Sequence, residues 1–419
     1  MVDPKSGCFS SGKKLLSLES ALEKLEKLVR PTVGVEKVGL AGALSKFLAE
    51  DVLATCNVPP HDNSAVDGYA VCHADLSIKG DTRLPLAGRI VAGHPLNTVA
   101  KKRSAYRIFT GAAMPDGTDT VFMQEHVRVE DDQIILPQGL QLGSNRRFMG
   151  EDVCKDAIIL KQGKRIRPQE IGLAASIGLT ELSVYKPLCV AVFSTGDEIC
   201  DPSSDLSEGC IYDSNRYTII GLLTELGCQV TDLGIIADNQ KLISDTLARA
   251  AERHDLIITS GGVSIGDEDR VRQAVESLGA IDFWRLAIKP GRPIAIGTVA
   301  TKFFIGLPGN PVAAMVTFMR IARILVLRLS GATGDISPNI YSVVAAFSFK
   351  PRGERVEWLR THLKFDEKGN LSAHLFPAKG SGVLTSMVGS QGLVEIKEGV
   401  KQIECGDLVD FLPYREMYT

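Results

Sequence analysis

The sequence predicts a multidomain α/β fold. We expect a helical domain with an inserted β-rich domain, then a three-layer α/β domain with a mostly parallel sheet, then a small C-terminal β domain. Three observations predict this. The chain has 419 residues, too many for one ordinary core. From Pro187 to Leu329 short apolar runs alternate with amphipathic ones, the pattern of strands joined by crossover helices. Two other stretches, one on each side, carry short β-like runs broken by Gly and Pro turns.

The elements follow in order. Residues 1–14, MVDPKSGCFSSGKK, are polar, lack the apolar core of a signal peptide and are expected to be disordered. Ser17 reads as an N-cap, with Leu18, Leu22, Leu25 and Val29 at helical spacing and Pro31 as the stop. A second helix is expected at Leu40–Asp51. Residues 57–154 read as the β-rich insertion, through LPLAGRIV, AYRIFTG, TVFMQEHVRV and QIILP. Helical character returns over 155–187, where Pro168 fits a first helical position and Gly178 a C′ position. That segment and 15–56 together form the discontinuous helical domain.

The α/β domain spans 188–330. Strands are expected at Leu188–Phe193, Gln229–Ile236, Leu256–Thr259, Phe283–Ile288, Ile294–Val299 and Phe303–Leu307. Helices are expected at Tyr217–Leu226, Leu242–Glu252, Arg270–Leu278 and Val312–Leu329. Ser330–Pro338 reads as a linker. Residues 338–419 alternate and turn often, as a barrel or a sandwich would.

Composition excludes several functions. A net charge of −3 and the lack of a basic stripe argue against nucleic acid as a partner. No apolar run reaches membrane-spanning length. The nine cysteines include no C-x-x-C pair, which fits reduced thiols and a cytoplasmic location. No histidine pattern suggests zinc. Neither G-x-G-x-x-G nor G-x-x-x-x-G-K-S/T occurs, so a Rossmann dehydrogenase and a P-loop NTPase are unsupported.

Chemistry collects after the α/β strands, where open sheets bind ligands. The segment LIITSGGVSIGDED, 256–269, is the most informative. Its glycines let backbone N–H groups approach an anion. Its acids Asp267, Glu268 and Asp269 would repel that anion unless a cation lay between, since unit charges about 4 Å apart interact by roughly 4 kcal/mol at an effective dielectric near 20. Phosphate with a divalent metal, magnesium by its oxygen donors, satisfies both. A solvated loop with acids at a helix N-terminus satisfies the pattern too. Ser194-Thr195-Gly196 and Ser260-Gly261-Gly262 can cradle an anion. Glu198 and Asp269 can hold a metal, with Asp238 as a third candidate. Lys289 and Arg292 supply positive charge. Asn310 and Pro311 cap a helix and can also present its N-terminus to the site. In the β-rich insertion, His61-Asp62-Asn63-Ser64-Ala65-Val66-Asp67-Gly68, Thr110–Pro115 and Gly150-Glu151-Asp152 are polar enough for a site, although an Asx turn and solvated loops explain them slightly better on the residues alone.

Asp62–Ala70, Thr110–Pro115, Gly150–Asp152, Ser194–Glu198, Ser260–Asp269, Ile288–Pro293 and Leu307–Pro311 resemble the molybdopterin molybdenumtransferase family, which includes bacterial MoeA and the E domain of gephyrin. DNSAVDGYA and SGGVSIGDED carry the resemblance most specifically, and the match runs in order from about Ser17 to the C-terminus. The resemblance implies molybdenum insertion: adenylyl-molybdopterin and molybdate become molybdenum cofactor and AMP, with Mg2+. It also implies an elongated four-domain subunit with a C-terminal β-barrel. The homodimer would share each site between one subunit's α/β domain and the other's β-rich domain.

By motif the resemblance assigns function to Asp67, Thr110 and Asp152 in the insertion, and to Glu198, Asp238, Asp269 and Lys289 in the α/β domain. Arg360 and Ser381 are assigned in the barrel. Pro308, Asn310, Arg285 and Arg292 join the expected substrate contacts. Arg285 stands where bacterial members have lysine, and His61 replaces an aromatic residue. Two alternatives remain: a molybdopterin adenylyltransferase, whose α/β domain shares TSGG, and a non-catalytic scaffold. A separate adenylyltransferase is a possible partner.

Overall fold

The computed structural model describes residues 15–262, 270–365, 367–378 and 380–418. The expected disordered N-terminus and the acids Asp267, Glu268 and Asp269 lie outside the described residues. Helix α1, Leu18–Leu28, is capped by Ser17, whose Oγ accepts from the Ser20 N–H at 3.2 Å. Its buried Leu18, Ala21 and Leu25 join the α/β core rather than a core of their own.

Leu40–Asp51 is not a helix. A single 3-10 turn covers Leu40–Ala43, and Ser45 sits at φ 65°. Phe47 and Leu48 bridge Arg165 and Val184 on the returning chain. The apolar spacing was helical, but Gly39 and Gly42 weaken a helix and long-range pairing wins. Val35–Gly39 pairs antiparallel with Glu181–Tyr185. Helix α2, Pro168–Ser176, begins on its proline, and the Glu170 carboxylate reaches back to the Arg167 N–H at 2.9 Å. Gly178 follows at φ 82°. This region is therefore a mixed unit around Leu48, Ile166, Leu182 and Val184, not a helical one.

The insertion holds β1 (Gly68–Val71), β2 (Thr82–Ile90), β3 (Ala105–Ile108), β4 (Thr120–Met123), β5 (Arg128–Glu130) and β6 (Gln133–Leu136). They form one sheet in the order β4-β1-β3-β2-β6-β5. Strict alternation buries both faces: Ala70, Ile108 and Val121 on one, Val71, Ala105 and Phe122 on the other.

The α/β domain contains β7 (Cys189–Thr195), α3 (Ser214–Glu225), β8 (Gln229–Ile236), α4 (Gln240–Arg253), β9 (Leu256–Ser260) and α5 (Arg270–Leu278). There follow β10 (Gly279–Arg285), β11 (Ile288–Lys289), β12 (Pro293–Val299), β13 (Lys302–Leu307), α6 (Pro311–Thr317) and α7 (Arg323–Leu329), the last two joined by a π turn at Phe318–Ala322. The sheet order is β8-β7-β9-β13-β12-β10. The first four strands are parallel, and β12 and β10 are antiparallel additions, so the sheet is mixed. Only Ala300 and Thr301 separate β12 from β13, too short for a parallel crossover. Val190, Val192 and Ile258 face α3, α6 and α7; Ala191, Phe193 and Ile257 face α4 and α5. These are the three layers.

Strands β14 (Tyr341–Ala345), β15 (Val356–Phe365), β16 (Leu371–Leu375), β17 (Gly392–Ile396) and β18 (Leu408–Pro413) close a five-stranded barrel in the order β15-β16-β14-β18-β17, with β17 returning to β15. The expected strand Phe283–Ile288 is split. Its first part ends at Arg285, and Ile288–Lys289 pairs instead with β15 of the barrel, Lys289 opposite Glu357. Barrel residues Trp358, Leu393 and Leu412 point outward into the α/β core, which fuses the two domains. Among the described residues no helix is long and apolar enough to cross a membrane, and the eight described cysteines are free thiols.

Candidate active site

The parallel strands deliver their loops to one edge. Strand β7 ends on Ser194 and Thr195, both buried, with hydroxyls that have no hydrogen-bond partner among the described residues. Buried polar groups are normally paired, so two unpaired hydroxyls at one strand end stand out. Gly196 follows at φ 146°, backbone that favours glycine, and a Cβ there would lie 2.7 Å from Glu198 Oε2 and push that carboxylate off the loop. The Ile211 N–H donates to the Glu198 carbonyl at 2.7 Å and pins that loop.

Strand β9 ends on Ser260, whose Oγ donates to the Pro308 carbonyl at 3.2 Å and accepts from Asn215 Nδ2 at 2.8 Å. Asn215 also donates to the Gly309 carbonyl at 2.7 Å. Asn215 thus ties the loops after β9 and β13 together. The sequence reading missed it; the only signal was its place in the polar run Asp213-Ser214-Asn215 ahead of a helix. Gly261 and Gly262 both adopt positive φ, at 86° and 63°, and a Cβ on Gly262 would meet Thr195 Cγ2 and Val271 Cγ2 at 2.8 Å.

A cavity of about 610 Å³ opens between this edge and the barrel. Glu198, Gly261, Gly262, Lys289, Arg292, Pro308, Asn310, Arg360 and Ser381 all line it. Lys289 Nζ donates to Glu357 Oε2 at 2.9 Å, and Glu357 is only 1% exposed. Burial opposes charge on Glu357, but the Arg352 N–H at 3.0 Å and the Lys289 ammonium outweigh it and hold the carboxyl below its ordinary range. Arg360 is buried; Nε donates to Ser386 Oγ at 3.1 Å and Nη2 to the carbonyls of Ala378 and Gly380 at 3.0 and 3.2 Å. Burial lowers its pKa. The Ser381 carbonyl accepts from the Val312 N–H at 3.0 Å, docking Ser381 on α6. Asn310 occupies the N-cap position, yet its side chain makes no cap bond, which leaves its amide to the cavity.

Other expected residues lie elsewhere. Ser194, Thr195, Gly196 and Ser260 sit behind the glycine turn and are not on the cavity wall. Asp238 pairs with Arg270 at 3.3 Å, and neither it nor Arg285 lines the cavity. Asp67 and Thr110 meet in the insertion: Asp67 Oδ1 accepts from the Thr110 N–H at 2.8 Å and from its hydroxyl at 2.7 Å. Those two bonds, the N–H foremost, lower the Asp67 pKa. Asp152 is exposed on the same domain. None of these three lines the cavity. Asp269 lies outside the described residues. Among the described residues no group of three His, Cys, Asp or Glu side chains is set to hold a metal.

Three family models tile the chain. The MoeA N-terminal region, domains I and II, matches residues 16–178; a probable molybdopterin binding domain matches 191–327; the MoeA C-terminal region, domain IV, matches 342–414. A molybdopterin molybdenumtransferase of Haemophilus influenzae is 38% identical over 408 residues, covering 96% of this chain and 100% of that protein. The chain belongs to the molybdopterin molybdenumtransferase family. Another family member, from Nostoc, is 34% identical over 77% of this chain and 76% of its own length. A crystal structure of the molybdopterin biosynthesis moeA protein from Pyrococcus horikoshii superposes with a TM-score of 0.80 at 26% identity, covering 96% of this chain and 100% of that one. The matched molybdopterin-binding segment contains all the α/β loops that line the cavity.

Proposed function

We propose that this chain is a transferase of molybdenum cofactor biosynthesis that inserts molybdenum, taking adenylyl-molybdopterin and molybdate to molybdenum cofactor and AMP in a Mg2+-dependent reaction. The carrying observation is the cavity between the α/β domain and the barrel, with one wall cationic and the other built from a glycine turn. A tetrahedral dianion and a pyrophosphate both need such walls. Lys289, Arg292 and Arg360 hold the oxyanion. The backbone of Gly261–Gly262 takes the phosphates, and Asn310 orients the pterin side.

The donor chemistry suits magnesium. Of the two cavity carboxylates, Glu357 is already held by Lys289, which leaves Glu198 as a hard oxygen ligand. Glu198 with Asp269 would hold the ion, and Asp238 could join only by releasing Arg270. Bound there, magnesium would offset charge on the phosphoanhydride. A water oxygen attacks the adenylyl phosphorus, the bond to the bridging oxygen breaks, AMP leaves with the water oxygen and molybdopterin keeps its phosphate. Molybdate then loses one oxygen as water, taking up the two thiol protons, as both dithiolene sulfurs bind molybdenum. Asp67, Thr110 and Asp152 would reach the site from a second subunit, a reading that fits the absence of all three from this cavity. The test is AMP release from adenylyl-molybdopterin by purified protein, expected to need both magnesium and molybdate. ATP consumption without molybdate would assign the protein to adenylylation instead. Failure to rescue nitrate reductase activity in a molybdenum-insertion mutant would favour a scaffold.

A further inference from the structure

The barrel carries a pair of imidazoles that the proposed insertion chemistry does not use. His362 on β15 and His374 on β16 are direct partners in the antiparallel register. Their rings are stacked, with centroids 5.5 Å apart and planes inclined by 22°. Both are half-buried, open enough for solvent to reach. We propose that His362 and His374 form a two-histidine site for a divalent d-block cation of the nickel, copper and zinc class.

Three features carry this. The first is spacing. With metal–nitrogen bonds of about 2.0–2.1 Å, two imidazoles on adjacent positions of one ion, about 90° apart for nickel and copper and about 109° for zinc, have ring centres roughly 4.5–5 Å apart. The observed 5.5 Å is within easy side-chain adjustment of that, and rotation about the soft terminal torsion of each ring aims its nitrogen inward. The second is the tautomer. Ser372 Oγ donates to the Lys364 carbonyl at 3.3 Å, so its proton is committed. It lies 3.1 Å from His374 Nε2 and can accept from Nε2–H there while its own proton stays on Lys364. In that tautomer the lone pair of a neutral His374 is on Nδ1. A ligating histidine characteristically donates its other ring N–H to a fixed acceptor, as here. The third is that His362 has no hydrogen-bond partner among the described residues, so no bond must break for it to ligate. Waters complete the coordination shell.

The location gives the site a consequence. Strand alternation puts Arg360 on the same face of β15 as His362, and Phe376 follows His374 at the same spacing; both Arg360 and Phe376 line the cavity. An ion bridging the two strands fastens the hairpin that carries them. The inference does not depend on the insertion reading, and its test uses no turnover.

The probe is Ni2+ alone, titrated calorimetrically into the full chain at neutral pH, with melting temperature followed in parallel. The wild type is expected to bind and to melt higher with nickel, because a ligand of the folded state stabilises it. The double variant His362→Gln/His374→Gln should melt normally without nickel, lose the metal-dependent rise and bind at least about tenfold more weakly. Ser372→Ala, which frees the tautomer, should weaken binding by about tenfold. Lys364→Ala removes a nearby positive charge and should tighten it, a gain that a purely structural pair would not give. Nickel affinity within twofold of wild type in the double variant, or weaker binding by Lys364→Ala, would overturn the proposal.

Discussion

Glu357→Gln isolates what holds Lys289 in place. Glu357 is buried, accepts from Lys289 Nζ at 2.9 Å and from the Arg352 N–H at 3.0 Å, and lies 3.8 Å from Arg355 Nε. Glutamine keeps the shape and can still accept from Arg352, but it removes the negative charge. A charge-assisted hydrogen bond contributes about 1.5–3 kcal/mol, and a buried charge left unpaired costs more. Lys289 is 44% exposed and can rehydrate, whereas Arg355 is 8% exposed and cannot. We therefore expect a loss of about 2–4 kcal/mol in urea unfolding at neutral pH. The sign with pH follows from the depressed Glu357 pKa: its contribution is complete above the unfolded value near 4.3 and fades as pH falls through the folded value. Wild type should thus lose stability on acidification more steeply than Glu357→Gln, and the two should converge in acid. In the AMP-release assay the freed Lys289 should raise the KM for molybdate. A variant within about 0.5 kcal/mol of wild type at neutral pH, or one with the same acid slope, would refute the pairing as a stabilising one.

Other perturbations have equally definite outcomes. Thr195→Val deletes a buried hydroxyl with no partner among the described residues, so the fold should be unchanged or gain up to about 1 kcal/mol; destabilisation in a melting assay would mean that the hydroxyl is structurally paired. Gly262→Ala forces φ 63° on a residue whose Cβ meets Thr195 and Val271, and should cost about 1–3 kcal/mol together with substrate affinity, read by unfolding and by equilibrium binding. Arg216 is buried among Asp201, Asp213 and Asp232, and Arg216→Met should destabilise by about 3–5 kcal/mol in urea. Thr110→Val should raise the Asp67 pKa as measured by carboxylate NMR, since the hydroxyl is one of the two bonds that lower it; an unmoved titration would remove Thr110 from that role.

The α/β strands were legible because parallel strands buried on both faces read as continuous apolar runs, as β7 and β9 do. Reading the residues after each strand therefore located Glu198, Gly261, Gly262, Pro308 and Asn310 on one edge. Leu40–Asp51 was misread because Leu40, Leu44, Phe47 and Leu48 fit a helical stripe equally well, and only a partner more than a hundred residues away decides against it. The edge strands turned antiparallel for a reason present in the sequence, the two-residue gap at Ala300–Thr301, which was not weighed. Glu357 had no local signature at all. Its partner Lys289 is 68 residues away, and the pairing arises only because β11 leaves the α/β sheet to join β15.

That departure explains why the cavity belongs to two domains. A strand continuing from Phe283 to Ile288 would have kept Lys289 on the α/β edge, facing the glycine turn with nothing behind it. By crossing to the barrel, the segment gives Lys289 a buried counter-charge and brings it to the strand that carries Arg360, so both cations line the cavity. The cost of burying Glu357 and Arg360 is met by fixed partners, the Arg352 N–H and Lys289 for the first, the carbonyls of Ala378 and Gly380 and the Ser386 hydroxyl for the second, so the cations are in position before any ligand arrives. Such pre-positioning is what a small tetrahedral dianion requires. It offers few contacts, and affinity for it depends on not having to order the groups that bind it. Moving Lys289 with Glu357→Gln and removing Arg360 with Arg360→Met should therefore both act on molybdate affinity. Their combined effect should fall short of the sum, because each variant already leaves an incomplete oxyanion site. Full additivity in molybdate binding would show that the two side chains serve different ligands.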